Sequence, residues 1–207
     1  MEHLEIELKF YSPAFAALRS RLQDIGAVCI SENTFEYNIR YETKDEGLRK
    51  GNCLLRLRKD RETTLTYKSP PPAADARFKT YRELEVGVDD FDAMDAILKA
   101  LGFLPHQVYE KWRETWRLGG TDLCMDTMPF GRFLEIEGRP EPIMEMVGKL
   151  ELSWQRRILT SYLAMFALLR EKERLPFHDV TFDNFKSVDV VFDRYLHLLE
   201  AGHEART

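Results

Sequence analysis

Leu4-Glu5-Ile6-Glu7-Leu8-Lys9-Phe10 opens the chain with strict alternation. Leu4, Ile6, Leu8 and Phe10 fall on one side and Glu5, Glu7 and Lys9 on the other. A period of two is the signature of a β-strand with two chemically different faces. The pattern returns along the chain: Arg56 and Arg58 flank Leu57, Glu83 and Glu85 flank Leu84, Lys111 and Arg113 flank Trp112, and Glu135 and Glu137 flank Ile136. Taken singly, each charged face reads as the solvated side of a sheet. A solvated face, however, mixes signs and carries Ser and Thr, whereas each of these pairs has one sign. Two carboxylates at i and i+2 stand about 7 Å apart and repel by roughly 2 kcal/mol at an effective dielectric near 20. Such pairs on five strands predict a sheet that curls until its charged faces converge on a ligand carrying several charges.

Working outward, strands are expected at 2–11, 32–42, 53–59, 62–68, 77–87, 106–118, 121–127 and 132–138, with Gly119-Gly120 as the turn between two of them. Ser12-Pro13 reads as the start of a helix, with Ser12 as N-cap and Pro13 in the first helical position, carrying Phe15, Leu18, Leu22 and Ile25 on one face. Asp89-Asp90 reads as the cap of a second helix. After Pro140 the period changes to helical, with a short face at Ile143, Met146 and Val147, a longer helix over 154–171 and a partly helical segment at 184–200. Strands in hairpin-like runs and helices set apart from them make this an α+β chain. The organisation expected is a sheet domain over residues 1–150 and a helical extension over 151–207 packed on it.

Composition narrows the function classes. The 207 residues are 44% hydrophobic and 31% charged, an ordinary globular balance. No apolar run approaches the ~18 residues that span a bilayer, and Met1-Glu2-His3-Leu4-Glu5 has neither the basic nor the apolar region of a signal peptide. Cys29, Cys53 and Cys124 are far apart, with no CxxC pair, which argues against a disulfide framework and a zinc knuckle. A cytoplasmic protein with reduced thiols is the expectation. The net charge of -5 argues against duplex nucleic acid as a partner, although Arg49, Lys50, Arg56, Arg58, Lys59, Arg61 and Lys68 cluster.

The charged faces point to a chemistry. Carboxylates suit Mg²⁺ or Mn²⁺, hard ions that take oxygen ligands. Arg and Lys suit phosphate oxygens, Arg by bidentate contact. A polyphosphate chelated to a divalent metal needs both sets at once. The chain has no GxGxxG and no Walker A pattern, so the glycine-loop routes to phosphate binding are missing. His3, His106, His178, His197 and His203 show no ligand spacing and are expected on the surface or in loops.

These residues resemble a known family. Glu5-Ile6-Glu7-Leu8-Lys9 has the ExExK form of CYTH domains, the triphosphate tunnel metalloenzymes. Further blocks follow in that family's order: Leu55-Arg56-Leu57-Arg58, Leu65-Thr66-Tyr67-Lys68-Ser69-Pro70, Arg82-Glu83-Leu84-Glu85, Lys111-Trp112-Arg113, and Asp126 leading to Gly131-Arg132-Phe133-Leu134-Glu135-Ile136-Glu137. The resemblance covers roughly residues 2–150. It implies an eight-stranded antiparallel β-barrel, a tunnel with a polar lumen. It implies metal-site carboxylates at Glu5, Glu7, Glu135 and Glu137, with Glu83, Glu85 and Asp126 as similar candidates. Lys9, Arg56, Arg58, Lys68, Lys111 and Arg113 become triphosphate ligands, and Lys9, Glu7 and Glu137 the catalytic set, Lys9 activating or orienting the attacking water. One segment departs: Asn38-Ile39-Arg40-Tyr41-Glu42-Thr43 stands where relatives near the cyclases carry Asp-x-Tyr-aromatic-Asp-Thr. Core or rim packing is expected of Tyr37 and Tyr41, and packing of Tyr162, Met165 and Phe166.

The resemblance implies metal-assisted attack on a triphosphate-containing small molecule, with Mg²⁺ or Mn²⁺ as cofactor. Water attacking the terminal phosphate makes the protein a hydrolase of inorganic or simple organic triphosphate, the first expectation. A ribose hydroxyl attacking the α-phosphorus makes it a class IV adenylyl cyclase, the alternative. A non-catalytic polyphosphate- or nucleotide-binding module is the third reading. Oligomeric state stays open, a homodimer included.

Overall fold

The alternation at Glu5–Lys9 is realised in a closed barrel. The computed structural model describes residues 3–202. Eight strands, β1 (His3–Tyr11), β2 (Val28–Glu42), β3 (Leu54–Lys59), β4 (Thr63–Ser69), β5 (Lys79–Val88), β6 (Leu104–Leu118), β7 (Thr121–Met128) and β8 (Gly131–Glu137), close in the order β1-β5-β4-β3-β2-β6-β7-β8. Every neighbouring pair is antiparallel. Closure leaves no free sheet edge around the ring. Between β6 and β7, Gly119 and Gly120 take φ of +57° and +79°, the left-handed pair that a two-residue hairpin demands and that glycine adopts without a side-chain clash.

The apolar core lies outside the barrel, between its outer wall and the helices. Leu8 and Phe10 of β1, Leu134 and Ile136 of β8, Leu123 and Met125 of β7 and Trp116 of β6 pack beneath two helices. These are α1 (Phe15–Asp24), through Phe15, Leu18 and Leu22, and α4 (Pro140–Lys149), through Ile143, Met146 and Val147. On the opposite wall α3 (Phe91–Ala100) places Leu98 against Ile39, Tyr41, Leu55 and Leu57. Asp90 caps α3 as its sequence suggests, accepting from the Ala93 N–H at 2.9 Å. With the helices covering the apolar faces, strand alternation turns the charged faces inward.

Residues after α4 close over the barrel end marked by Met128, Phe130 and Phe133. There α5 (Tyr162–Glu173) contributes Tyr162, Met165, Phe166 and Leu169, and the last segment adds Phe185 and Phe192. Backbone hydrogen bonds anchor the segment. Lys9 and Ile158 exchange N–H···O bonds of 3.0 and 2.7 Å, and Val180 bonds to Val108 and Glu110 at 2.8 and 2.9 Å on the part of β6 that runs past β7.

Five local expectations change. Ser12 does not cap α1: its N–H still belongs to the sheet, donating to the Arg132 carbonyl at 2.9 Å, and Ala14 holds the cap position. The helix read over 154–171 is a short 3-10 turn at Trp154–Arg156, an extended stretch bonded to Lys9, and then α5, whose N-cap Ser161 accepts from Ala164 at 3.3 Å. β2 and β6 begin earlier than read, at Val28 and Leu104. A four-residue helix, α2 (Gly47–Lys50), joins β2 to β3. His106 stands half-buried on β6, its ring 5.2 Å from that of His178, rather than in a loop, while His203 lies outside the described residues. The cysteines are free thiols, as read. No helix among the described residues is long and apolar enough to cross a membrane.

Candidate active site

The lumen is a cavity of about 780 Å³ lined by nine cationic side chains and six carboxylates. Strand order sorts them by sign. β1 and β8 carry Glu5, Glu7, Glu135 and Glu137; β2 and β3, which stand across the barrel, carry Arg40, Arg56 and Arg58. Lys68 and Lys79 with Glu83 and Glu85 fill one side wall, and Lys111 and Arg113 the other. The cavity therefore has an acidic wall facing a basic wall. Every charged residue expected from the sequence lines it except Asp126, which lies behind it.

On the acidic wall the ladder sets Glu7 opposite Glu137 and Lys9 opposite Glu135. Lys9 is 1% exposed and donates to Glu7 at 2.6 Å and approaches Glu135 at 2.7 Å, an ammonium clamped between two carboxylates. Burial lowers its pKa, but Glu135 and Glu7 outweigh burial and raise it well above the usual lysine value, so Lys9 is a permanent cation here. Glu7 also accepts from Lys79 at 2.5 Å. Burial and Glu135 push the Glu7 carboxyl up, yet Lys79, Lys9 and Lys68 hold it at about 2. Lys68 is paired with both Glu5 and Glu83.

Glu137 is the exception. It has no hydrogen-bond or ion-pair partner among the described residues, and burial together with Glu5, Glu7 and Glu135 pushes its pKa up to about 7. A carboxyl crowded by carboxylates and without a donor of its own suits a cation brought from outside. That observation, with an all-oxygen donor set, fits a hard divalent ion held by Glu5, Glu7 and Glu137. Among the described residues no three His, Cys, Asp or Glu side chains already converge in metal-binding geometry, since Lys9, Lys68 and Lys79 occupy the oxygens of Glu5 and Glu7.

Asp126 is fully buried and accepts from four donors: Arg113 Nε at 2.6 Å, Arg113 Nη2 at 2.5 Å, Lys111 Nζ at 3.1 Å and the Tyr162 hydroxyl at 3.0 Å. It fixes the two cations of β6. Glu36, 3% exposed, stands behind the same pair, 3.5 Å from Lys111 and 3.8 Å from Arg113; burial opposes its ionisation, but Lys111, Arg113, Arg58 and Arg56 hold its pKa at about 2. Arg113 also reaches Glu135.

Sequence reasoning missed Lys79, Glu36, Arg40 and Tyr162. The first three carry a legible signal, since alternation in 77–87 puts Lys79 on the face of Glu83 and Glu85, and alternation in 32–42 puts Glu36, Asn38 and Arg40 together. Tyr162 carries none. Expected to pack, it does join the apolar cluster at the barrel end, but its hydroxyl reaches Asp126 and its ring lies 5.2 Å beneath Lys9. Tyr37 and Tyr41 pack as expected; Tyr41 is fully buried and donates to Asp95 at 2.7 Å. Glu42, in the departing segment, is structural. Its carboxylate accepts from the N–H groups of Thr43, Leu48 and Arg49, holding α2 in place.

The sequence matches one family model, the CYTH domain, over residues 3–158. The chain belongs to the CYTH family. Enzymes of this family generally use divalent metals and bind triphosphate substrates. A Methanocaldococcus jannaschii protein named "putative adenylate cyclase MJ0240" is 28% identical over 177 residues, 80% of this chain and 99% of that one. The structure of a "putative adenylate cyclase" from Vibrio parahaemolyticus superposes with a TM-score of 0.69 at 22% identity, covering 78% of this chain and 97% of the other. HpAC1 from Hippeastrum, described as a putative adenylyl cyclase with a dominant triphosphatase activity, matches with a TM-score of 0.56 at 18% identity over 85% of this chain and 98% of its own. The CYTH match ends at Ile158, so α5 and Tyr162 lie beyond it.

Proposed function

We propose that this CYTH protein is a divalent-metal-dependent hydrolase of inorganic or simple organic triphosphates, in which water attacks the terminal phosphate. The observation that carries the reading is the acidic wall facing the basic wall across one lumen. The basic wall and β6 bind the chain: Arg56, Arg58, Lys111 and Arg113 present guanidinium and ammonium donors to phosphate oxygens, and Lys68 adds another from β4. Glu5, Glu7 and Glu137 hold the metal, with Glu135 and Glu83 beside them and Glu85 toward the arginines. A divalent ion bound there neutralises phosphate charge and lowers the pKa of bound water. Lys9, held by Glu7 and Glu135, orients the attacking water rather than taking its proton, since its raised pKa leaves it no basic lone pair. Asp126 positions Lys111 and Arg113 from behind.

A second reading, ATP cyclisation by a class IV adenylyl cyclase, is favoured by the names of the relatives. It needs a platform for the base. Of the tyrosines lining the cavity, Tyr81 and Tyr162 lie beneath Lys79 and Lys9, and Tyr109 takes a hydrogen bond from Arg56 at 3.3 Å. The test is incubation with tripolyphosphate in Mg²⁺ or Mn²⁺. The proposal expects release of orthophosphate that excess EDTA abolishes; undiminished turnover in EDTA, or none in either metal, overturns it.

A further inference from the structure

Tyr162 packs like a core residue and is bonded like a site residue. It is buried, its ring meets that of Phe133 edge-on at 5.2 Å, and it belongs to the apolar cluster at the barrel end. Packing alone would be met by phenylalanine. The hydroxyl instead donates to Asp126 at 3.0 Å, on a carboxylate that Lys111 and two Arg113 nitrogens already hold. The ring face lies 5.2 Å from the Lys9 ammonium and 5.9 Å from that of Lys111. One side chain therefore meets β1, β6 and β7 through Lys9, Lys111 and Asp126, and it lines the lumen.

Its placement depends on the residues it contacts. Ile158, four positions earlier, exchanges backbone hydrogen bonds with Lys9 at 3.0 and 2.7 Å, and the N-cap of α5 follows at Ser161. The main chain of Lys9 thus fixes where Tyr162 lands, and the ring of Tyr162 meets the side chain of Lys9. A ring face attracts an ammonium through its quadrupole and leaves the charge uncancelled. A carboxylate in that place would neutralise the lysines and compete for a metal ion. A carboxylate accepts roughly four hydrogen bonds, so the Tyr162 hydroxyl also fills the last acceptor position of Asp126. Burial, with the Asp126 and Glu135 charges, raises the pKa of the phenol well above its usual value, so it stays a donor.

We propose that Tyr162 is a positioning residue for Lys9 and Lys111, so that a segment beyond the CYTH match completes the active site. That match ends at Ile158. The kinetic part of the claim rests on the hydrolase reading, in which Lys9 orients the attacking water and Lys111 binds phosphate. The ring aligns both ammoniums, and the hydroxyl keeps Asp126 turned to Lys111 and Arg113.

The experiment compares wild type with Tyr162→Phe, Tyr162→Leu and Leu169→Ala. Leu169 is fully buried in the same helix and the same apolar cluster but does not line the lumen. Each protein is assayed on tripolyphosphate in Mg²⁺ for kcat and KM, below its own melting transition, and by calorimetry with tripolyphosphate without divalent metal. Tyr162→Leu should lower kcat about tenfold and weaken metal-free binding several-fold, the scale of one or two desolvated cation–π contacts. Tyr162→Phe keeps the ring and should restore kcat to within about threefold of wild type. Leu169→Ala should lower the melting temperature yet leave kcat and binding near wild type. Wild-type kcat and binding in Tyr162→Leu overturn the proposal, as does an equal kcat loss in Leu169→Ala, which would make the effect one of packing. If Tyr162→Leu does not fold, Tyr162→Met, of similar volume and without a ring, is read by the same criteria. Absence of orthophosphate release by the wild type would refute the hydrolase reading alone, and the calorimetric loss in Tyr162→Leu with its recovery in Tyr162→Phe would still decide the positioning role.

Discussion

Replacing Glu137 by Gln should strengthen the metal-free fold while removing its activity. Glu137 has no donor partner, and burial with Glu5, Glu7 and Glu135 nearby raises its pKa from 4.5 to about 7. The sign follows from linkage. Below pH 4.5 the carboxyl is protonated whether the chain is folded or not, and it costs nothing. Between 4.5 and 7 the unfolded chain ionises it and the folded chain does not, so folding loses stability as pH rises. Above 7 the full cost stands, at most about 3 kcal/mol. Glutamine keeps the size and removes the charge. In EDTA, urea denaturation should therefore show Glu137→Gln more stable than wild type at pH 8 by up to about 3 kcal/mol, and close to wild type at pH 5. The same variant in Mg²⁺ should lose at least about two orders of magnitude in turnover, the scale of several kcal/mol of lost transition-state stabilisation. A variant no more stable at pH 8 than at pH 5, relative to wild type, would refute the crowded-carboxylate account. Near-normal turnover would refute its metal role.

Two further outcomes follow from the same geometry. Asp126→Asn leaves Lys111 and Arg113 buried without their shared carboxylate and should cost about 3–5 kcal/mol in urea denaturation, with Tyr162→Phe costing less; a loss below about 1 kcal/mol for Asp126→Asn contradicts its positioning role. Tripolyphosphate in Ca²⁺ should raise the melting temperature more than pyrophosphate, and pyrophosphate more than AMP. At a hundred times its dissociation constant tripolyphosphate adds about 2.7 kcal/mol, or roughly 5–10 °C for a chain of this size, and a shift no larger than sulfate gives at matched ionic strength contradicts an inward-facing cationic lumen.

Much of the site is legible in the sequence because the signal is local. A strand places i and i+2 on one face whatever surrounds it, so like-charged pairs at 5/7, 56/58, 83/85, 111/113 and 135/137 survive translation into the barrel. Which face turns inward is also readable, since Leu8, Leu57 and Ile136 need helices to cover them. Contacts that depend on long-range closure are not readable. Tyr162 reaches Asp126 only because Ile158 bonds to Lys9 and steers α5 over the barrel end. The failed helix over 154–160 has the same origin: Trp154 and Ile158 have helical spacing, but Lys9, on the part of β1 that runs past its pairing with β5, offers the backbone better partners. The distinction between Asp126, saturated by four donors, and Glu137, with none, lies in three-dimensional packing and leaves no trace in spacing.

The central claim is tested most directly by phosphorus NMR of the products formed from tripolyphosphate and from ATP in Mg²⁺. A hydrolase with this lumen releases orthophosphate from tripolyphosphate and yields no cyclic nucleotide from ATP. Cyclic AMP with pyrophosphate as the main ATP products would contradict the account in favour of the cyclase.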